Sequence, residues 1–142
     1  MAPYATAADI QERYGEETYL LSFDRLSDGS IDADAVTKAL TAATSEINSY
    51  VGARYDLPLA TVPDILVQYA CDIAIYRGSD QAKTLTKEKR KRYEDARDWL
   101  KLVAAGKATL GLDEEPVSVG GGPQLITDND RTWTRGKTRG IW

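Results

Sequence analysis

Between Pro63 and Gly78 the sequence places apolar side chains on nearly every face that a helix has: Ile65, Leu66, Val67, Tyr69, Ala70, Cys71, Ile73, Ala74, Ile75 and Tyr76. A surface helix carries one apolar stripe, so this run predicts a central helix enclosed by other helices or by a neighbouring subunit. Pro63 suits its first turn, where the missing N–H is one the helix leaves unbonded anyway. Upstream, Leu57-Pro58-Leu59 ends any preceding helix, because proline restricts the residue before it and donates no backbone hydrogen bond. Downstream, Gly78 and a polar stretch read as a linker.

The remaining segments supply what would enclose such a helix. Thr6 with Asp9 three residues on is a variant capping box, opening a short helix through Ile10 and Tyr14 that Gly15 closes in a left-handed conformation. Glu16 and Glu17 favour the start of a second short helix, whose Tyr19, Leu20, Leu21 and Phe23 are expected in the core. Ser27-Asp28-Gly29-Ser30 is a turn. Asp32 then caps a helix with Val36, Leu40, Ala43, Ile47 and Val51 at spacings of three and four, one stripe over about five turns. Thr86 caps a charged helix with a narrow stripe of Tyr93, Ala96, Leu100 and Val103, ended by Ala105-Gly106. Ala108-Thr109-Leu110-Gly111-Leu112 reads as a short extended piece.

Gly120-Gly121-Gly122-Pro123 holds no regular element. Beyond it, residues 131–142 carry four basic side chains and no acidic one. The expectation is all-α: a compact domain of about four to five helices over residues 1–112, then a long extended tail over 113–142. That tail combines a flexible Gly-rich linker with a basic, tryptophan-containing end. Trp133, Ile141 and Trp142 form no helical stripe, because Gly136 and Gly140 interrupt the segment. Tryptophan and arginine are enriched where proteins grip partners, so the tail reads as a docking peptide.

Charge and composition narrow the chemistry. The net charge of -4 leaves no global field toward nucleic acid or anionic lipid, so any basic patch is local. Lys87, Lys89, Arg90, Lys91 and Arg92 look like such a patch, but Glu88, Glu94, Asp95 and Asp98 interleave at helical neighbour distances. No run of about eighteen apolar residues occurs and no signal-peptide pattern opens the chain, so neither membrane spanning nor secretion is expected. The single cysteine, Cys71, lies in the apolar run and reads as a small buried hydrophobe in a reducing setting. With no histidine, Cys/His zinc sites and Ser-His-Asp or Cys-His nucleophile systems are excluded.

Three other features invite chemistry and have simpler explanations. Asp24 to Ala35 partly imitates a calcium loop, but Leu26 and Ala35 stand where oxygen ligands belong, so a turn followed by the Asp32 cap accounts for it. Asp64 and Asp72 fall two turns apart on roughly one side of the central helix. Helix-start electrostatics explain Asp64, and a buried or intersubunit contact with a residue such as Arg77 explains Asp72. The glycines at 120–122 lack the lysine and hydroxyl of a phosphate loop. No cofactor, metal or catalytic residue is therefore expected. A nucleic-acid-binding accessory module acting through the basic tail is the alternative function.

Several segments together resemble the Mu-like phage gp36 family of head-tail connector, or adaptor, proteins. They are Tyr4-Ala5-Thr6, Asp9-Ile10, Arg13-Tyr14-Gly15-Glu16 and Asp28-Gly29-Ser30-Ile31-Asp32, then Ile47-Asn48-Ser49-Tyr50-Val51, Arg54-Tyr55-Asp56-Leu57-Pro58-Leu59 and Val62-Pro63. Ala70-Cys71-Asp72-Ile73-Ala74, Arg92-Tyr93-Glu94-Asp95-Ala96, Ala104-Ala105-Gly106-Lys107 and Leu110-Gly111-Leu112 complete the match. Each is weak alone; their order and spacing carry the resemblance. It implies a non-enzymatic homo-oligomer in the virion neck, assembled in the host bacterial cytoplasm. The subunits would be monomeric in isolation and form a ring, usually dodecameric, under the portal. It implies portal protein and a head-tail stopper or tail-completion protein as partners, and DNA only as transient cargo of the channel. By analogy, Arg131, Trp133, Arg135, Arg139, Ile141 and Trp142 form the portal-binding peptide.

Overall fold

The computed structural model describes residues 2–112, and the predicted tail, 113–142, lies outside the described residues. Five helices follow one another: α1 (Ala7–Tyr14), α2 (Glu16–Phe23), α3 (Ala33–Val51), α4 (Asp64–Gln81) and α5 (Lys87–Ala104). No strand occurs among the described residues, and the fold is all-α.

The helix ends are where local chemistry puts them. Thr6 accepts from the Asp9 N–H, while Asp9 accepts from the Thr6 N–H at 2.7 Å, a reciprocal cap. Asp32 accepts from the N–H groups of Asp34 and Ala35, and Thr86 from that of Lys89. Gly15, at φ 84°, both closes α1 and opens α2, so the two short helices meet at one residue. At the end of α5, Gly106 donates to the Val103 carbonyl and Lys107 to that of Leu102, the paired bonds of a Schellman motif.

α4 is the central helix. It packs against each of the other four, and its Leu66, Ala70, Ile73, Ala74 and Ile75 are buried. The enclosure comes from helices of the same chain. α3 presents the expected stripe, with Val36, Leu40, Ala43, Ile47 and Val51 all buried. Ala96, Leu100 and Val103 of α5 and Ile10, Tyr19 and Phe23 of the first two helices close the core. Each fully buried side chain of this size contributes about 1.5–3 kcal/mol.

Three expectations are corrected. Leu21 is half exposed, since α2 buries Tyr19, Ser22 and Phe23, and Leu21 falls outside that arc. α4 does not stop at Gly78 but runs on to Gln81. There glycine is a packing residue: a Cβ at Gly78 would stand 2.6 Å from Cε1 of Phe23, so its absence lets α2 approach α4. Residues 108–112 form no extended element but fold back, the Leu110 N–H donating to the Tyr55 hydroxyl at 2.9 Å.

Candidate functional site

The six residues expected to bind a portal, Arg131, Trp133, Arg135, Arg139, Ile141 and Trp142, lie outside the described residues. Within them, the charged chemistry gathers along the two sides of the α4–α5 hairpin.

On the α1 side stands Asp72, only 2% exposed. Its carboxylate accepts from Arg13 Nε at 2.9 Å and from a second guanidinium nitrogen at 3.1 Å. The Tyr14 hydroxyl donates a third bond at 2.5 Å. Burial and that bond to Asp72 push the Tyr14 phenol above its ordinary range. Arg92, from α5, lies over the Tyr14 ring at 5.1 Å and reaches Glu88 at 2.9 Å. One turn nearer the start of α5, Lys89 donates to Ser79 Oγ at 2.9 Å and to the Thr84 carbonyl at 3.2 Å. Burial draws its pKa below the usual lysine range. Ser79 in turn meets Ser22 at 2.9 Å, so α2, α4 and α5 share one polar seam.

On the α3 side, Glu46 accepts from Arg77 at 2.7 Å and from the Tyr93 hydroxyl at 2.8 Å. Tyr93 stacks on Tyr76 with centroids 4.0 Å apart. Burial, then the bond to Glu46, push the Tyr93 phenol up to about 12.

Arg77 is therefore not the partner of Asp72, as the sequence led us to expect. Five residues along a helix is roughly 140° of rotation, so the two side chains leave α4 on different sides. Asp64 sits exposed in the first turn of α4, about two turns along the helix from the buried Asp72. The loop after α2 is a turn. Asp24 accepts from the Asp28 and Gly29 N–H groups, Asp28 from that of Ser30, and Asp32 caps α3. Among the described residues no group of three or more carboxylate or thiol side chains is arranged to hold a metal ion, and no helix is long and apolar enough to cross a membrane. The basic run on α5 is divided: Lys89 turns inward to the serines and Arg92 toward Tyr14, while Lys87, Arg90 and Lys91 face solvent.

Sequence reasoning missed Arg13, Tyr14, Glu46 and Tyr93 as partners. Their contacts span tens of residues, and only the capped end of α1 hinted that Arg13 and Tyr14 stand together at a helix terminus.

These features define a small all-helical protein whose buried charge ties its helices to one another. The chain belongs to the family described as Bacteriophage Mu, Gp36, whose model matches residues 4–126. It is 38% identical over 119 residues to the Mu-like prophage FluMu protein gp36 of Haemophilus influenzae, covering 79% of each chain. It is 30% identical over 125 residues to gene product J of Escherichia phage Mu, covering 87% of this chain and 86% of the relative. It is thus a protein of Mu-like phage descent.

Proposed function

We propose that this protein is a head-to-tail connector, or adaptor, subunit of a tailed phage. It would form a ring under the portal, at the neck of the virion, and extend the DNA channel. The observation that carries the reading is the family match, whose residues 4–126 span all five helices. The role is structural rather than catalytic: Asp72, the buried carboxylate on which chemistry might have rested, is held by three donors. Portal and a stopper or tail-completion protein are the partners, with residues 131–142 as the portal-binding segment and DNA passing as cargo.

The test is to mix the purified protein with portal from the same phage and image the particles by electron microscopy. An added ring is expected, and deletion of residues 124–142 should abolish it while leaving helical circular dichroism unchanged. Portal particles without an added ring would overturn the proposal. The competing nucleic-acid reading requires DNA affinity that falls steeply with salt, because phosphate contacts release counterions. With Lys89 and Arg92 engaged inside the fold, only Lys87, Arg90 and Lys91 of the α5 run face solvent, so on this reading deletion of residues 124–142 should remove most of the affinity.

A further inference from the structure

α1 is too short to cover the whole seam between α4 and α5. It seals the stretch around Asp72 and Arg92 and leaves the stretch toward the start of α4 open. There Tyr69 and Trp99 meet with ring centroids 5.1 Å apart, both half-buried. Ile65 lies one turn from Tyr69 on α4, and Leu102, 44% exposed, one turn from Trp99 on α5. The Tyr69–Trp99 contact sets these two faces side by side, so this half of the seam is an aromatic and aliphatic face that the described residues leave partly exposed.

Its surroundings are acidic. Tyr69 feels the charge of Asp95 beside the Asp72–Arg13 pair, and Asp98, close to Lys101, stands one turn before Leu102. On the other flank Asp9, Glu12 and Asp64 border an open groove of about 550 Å³ between α1 and α4, with Val67 also lining it. Arg13, the cation beside the groove, is held by Asp72, and Lys101 stands 3.7 Å from Asp98, which leaves Asp95, Asp9, Glu12 and Asp64 as the acidic side chains of the rim. An apolar aromatic face inside an acidic rim fits a peptide rich in arginine and tryptophan and free of carboxylates. Residues 131–142 of this chain have that composition, with Arg131, Arg135, Lys137 and Arg139 beside Trp133, Ile141 and Trp142.

The geometry allows the encounter within one molecule. Leu112, the last described residue, lines a cavity with Tyr55 and Leu59 in the segment leading into α4, the end of the bundle at which the uncovered seam opens. Residues 113–130 reach at most ~60 Å, far more than the few turns of helix to be crossed. Tethering of this kind raises the local concentration of the segment to roughly millimolar. We propose that in the free protein residues 131–142 dock in cis on the Ile65–Tyr69–Trp99–Leu102 face, held by its acidic rim, so that the segment is withheld until a tighter partner displaces it. This inference does not require that the partner be a portal.

The test uses the full chain. Thr138→Cys, spin-labelled in a Cys71→Ser background, should broaden the amide resonances of residues 64–69 and 99–102. Glu12→Lys with Asp64→Lys, both at exposed positions, should abolish that broadening, as should about 1 M salt, where the screening length falls to ~3 Å. Broadening seen only when spin-labelled and isotope-labelled chains are mixed would replace the intramolecular dock with one between copies and overturn the proposal, as would broadening absent or spread evenly. The Glu12→Lys, Asp64→Lys chain should bind portal at least as tightly as the parent. Loss of portal binding in every variant would count against the connector role and leave the dock standing.

Discussion

Asp72 brings a formal charge into the centre of the bundle, and its neighbours make that tolerable. Arg13 meets it with two nitrogens and Tyr14 with a hydroxyl, so every nearby donor is matched to a lone pair. Asp72→Asn keeps the shape but leaves Arg13 without its counter-charge, and should lower unfolding stability by about 2–3 kcal/mol. Arg13→Ala should cost more, because the carboxylate it strands is far less exposed than the guanidinium; urea unfolding measures both, and unchanged midpoints would refute the account. Cys71 offers a separate check. Burial, with Asp9 and Asp72 adding to it, pushes its thiol up to about 12 from an ordinary 9.0. The unfolded thiol ionises first, so the stabilisation is complete below pH 9 and is lost as pH rises toward 12. Compared with Cys71→Ala, the parent should lose ground above pH 9 by up to about 1.4 kcal/mol per pH unit. A stability difference independent of pH would contradict the burial. That Cys71 is buried was legible in the apolar run around it; that Asp72 meets Arg13 was not, because nothing local links residues so far apart.

At the scale of elements, caps and stripes were readable because each is a short-range pattern. Thr6, Asp32 and Thr86 all cap the helices they were expected to open, and the α3 stripe is buried as spaced. The end of α4 was not readable. Glycine weakens a helix by about 1 kcal/mol relative to alanine, which makes Gly78 look like a stop. The ring of Phe23 reverses that reading, because only a residue without Cβ fits beneath it. Gly78→Ala therefore gains helix propensity yet should lose a net 1–3 kcal/mol through overpacking. Thermal unfolding of Gly78→Ala in a Phe23→Leu background should recover much of that loss; equal penalties in both backgrounds would show that the ring is not the cause.

Across the whole molecule, α4 organises the fold because every other helix rests on it, and the residues after α5 close the far end by returning to Tyr55. The Tyr55 hydroxyl meets both the Leu110 N–H and Thr109 Oγ1, at 2.9 and 3.1 Å. Tyr55→Phe should cost about 1–2 kcal/mol and speed hydrogen exchange at the Leu110 amide; continued protection there would exclude this anchoring. The all-α class, the number of helices, the central place of residues 65–76 and the family were determined by the sequence itself, since periodicity, caps and ordered motifs are written along one dimension. Tertiary structure alone decided that the chain's own helices enclose α4, that Asp72 pairs with Arg13 and Arg77 with Glu46, and that Gly78 is a contact rather than an end. It alone also brought Tyr69 and Trp99 together, a pair that the described residues leave half-buried. The physical reason is the same in each case: these contacts depend on which helix faces meet in space, and helix period and capping chemistry do not contain that information.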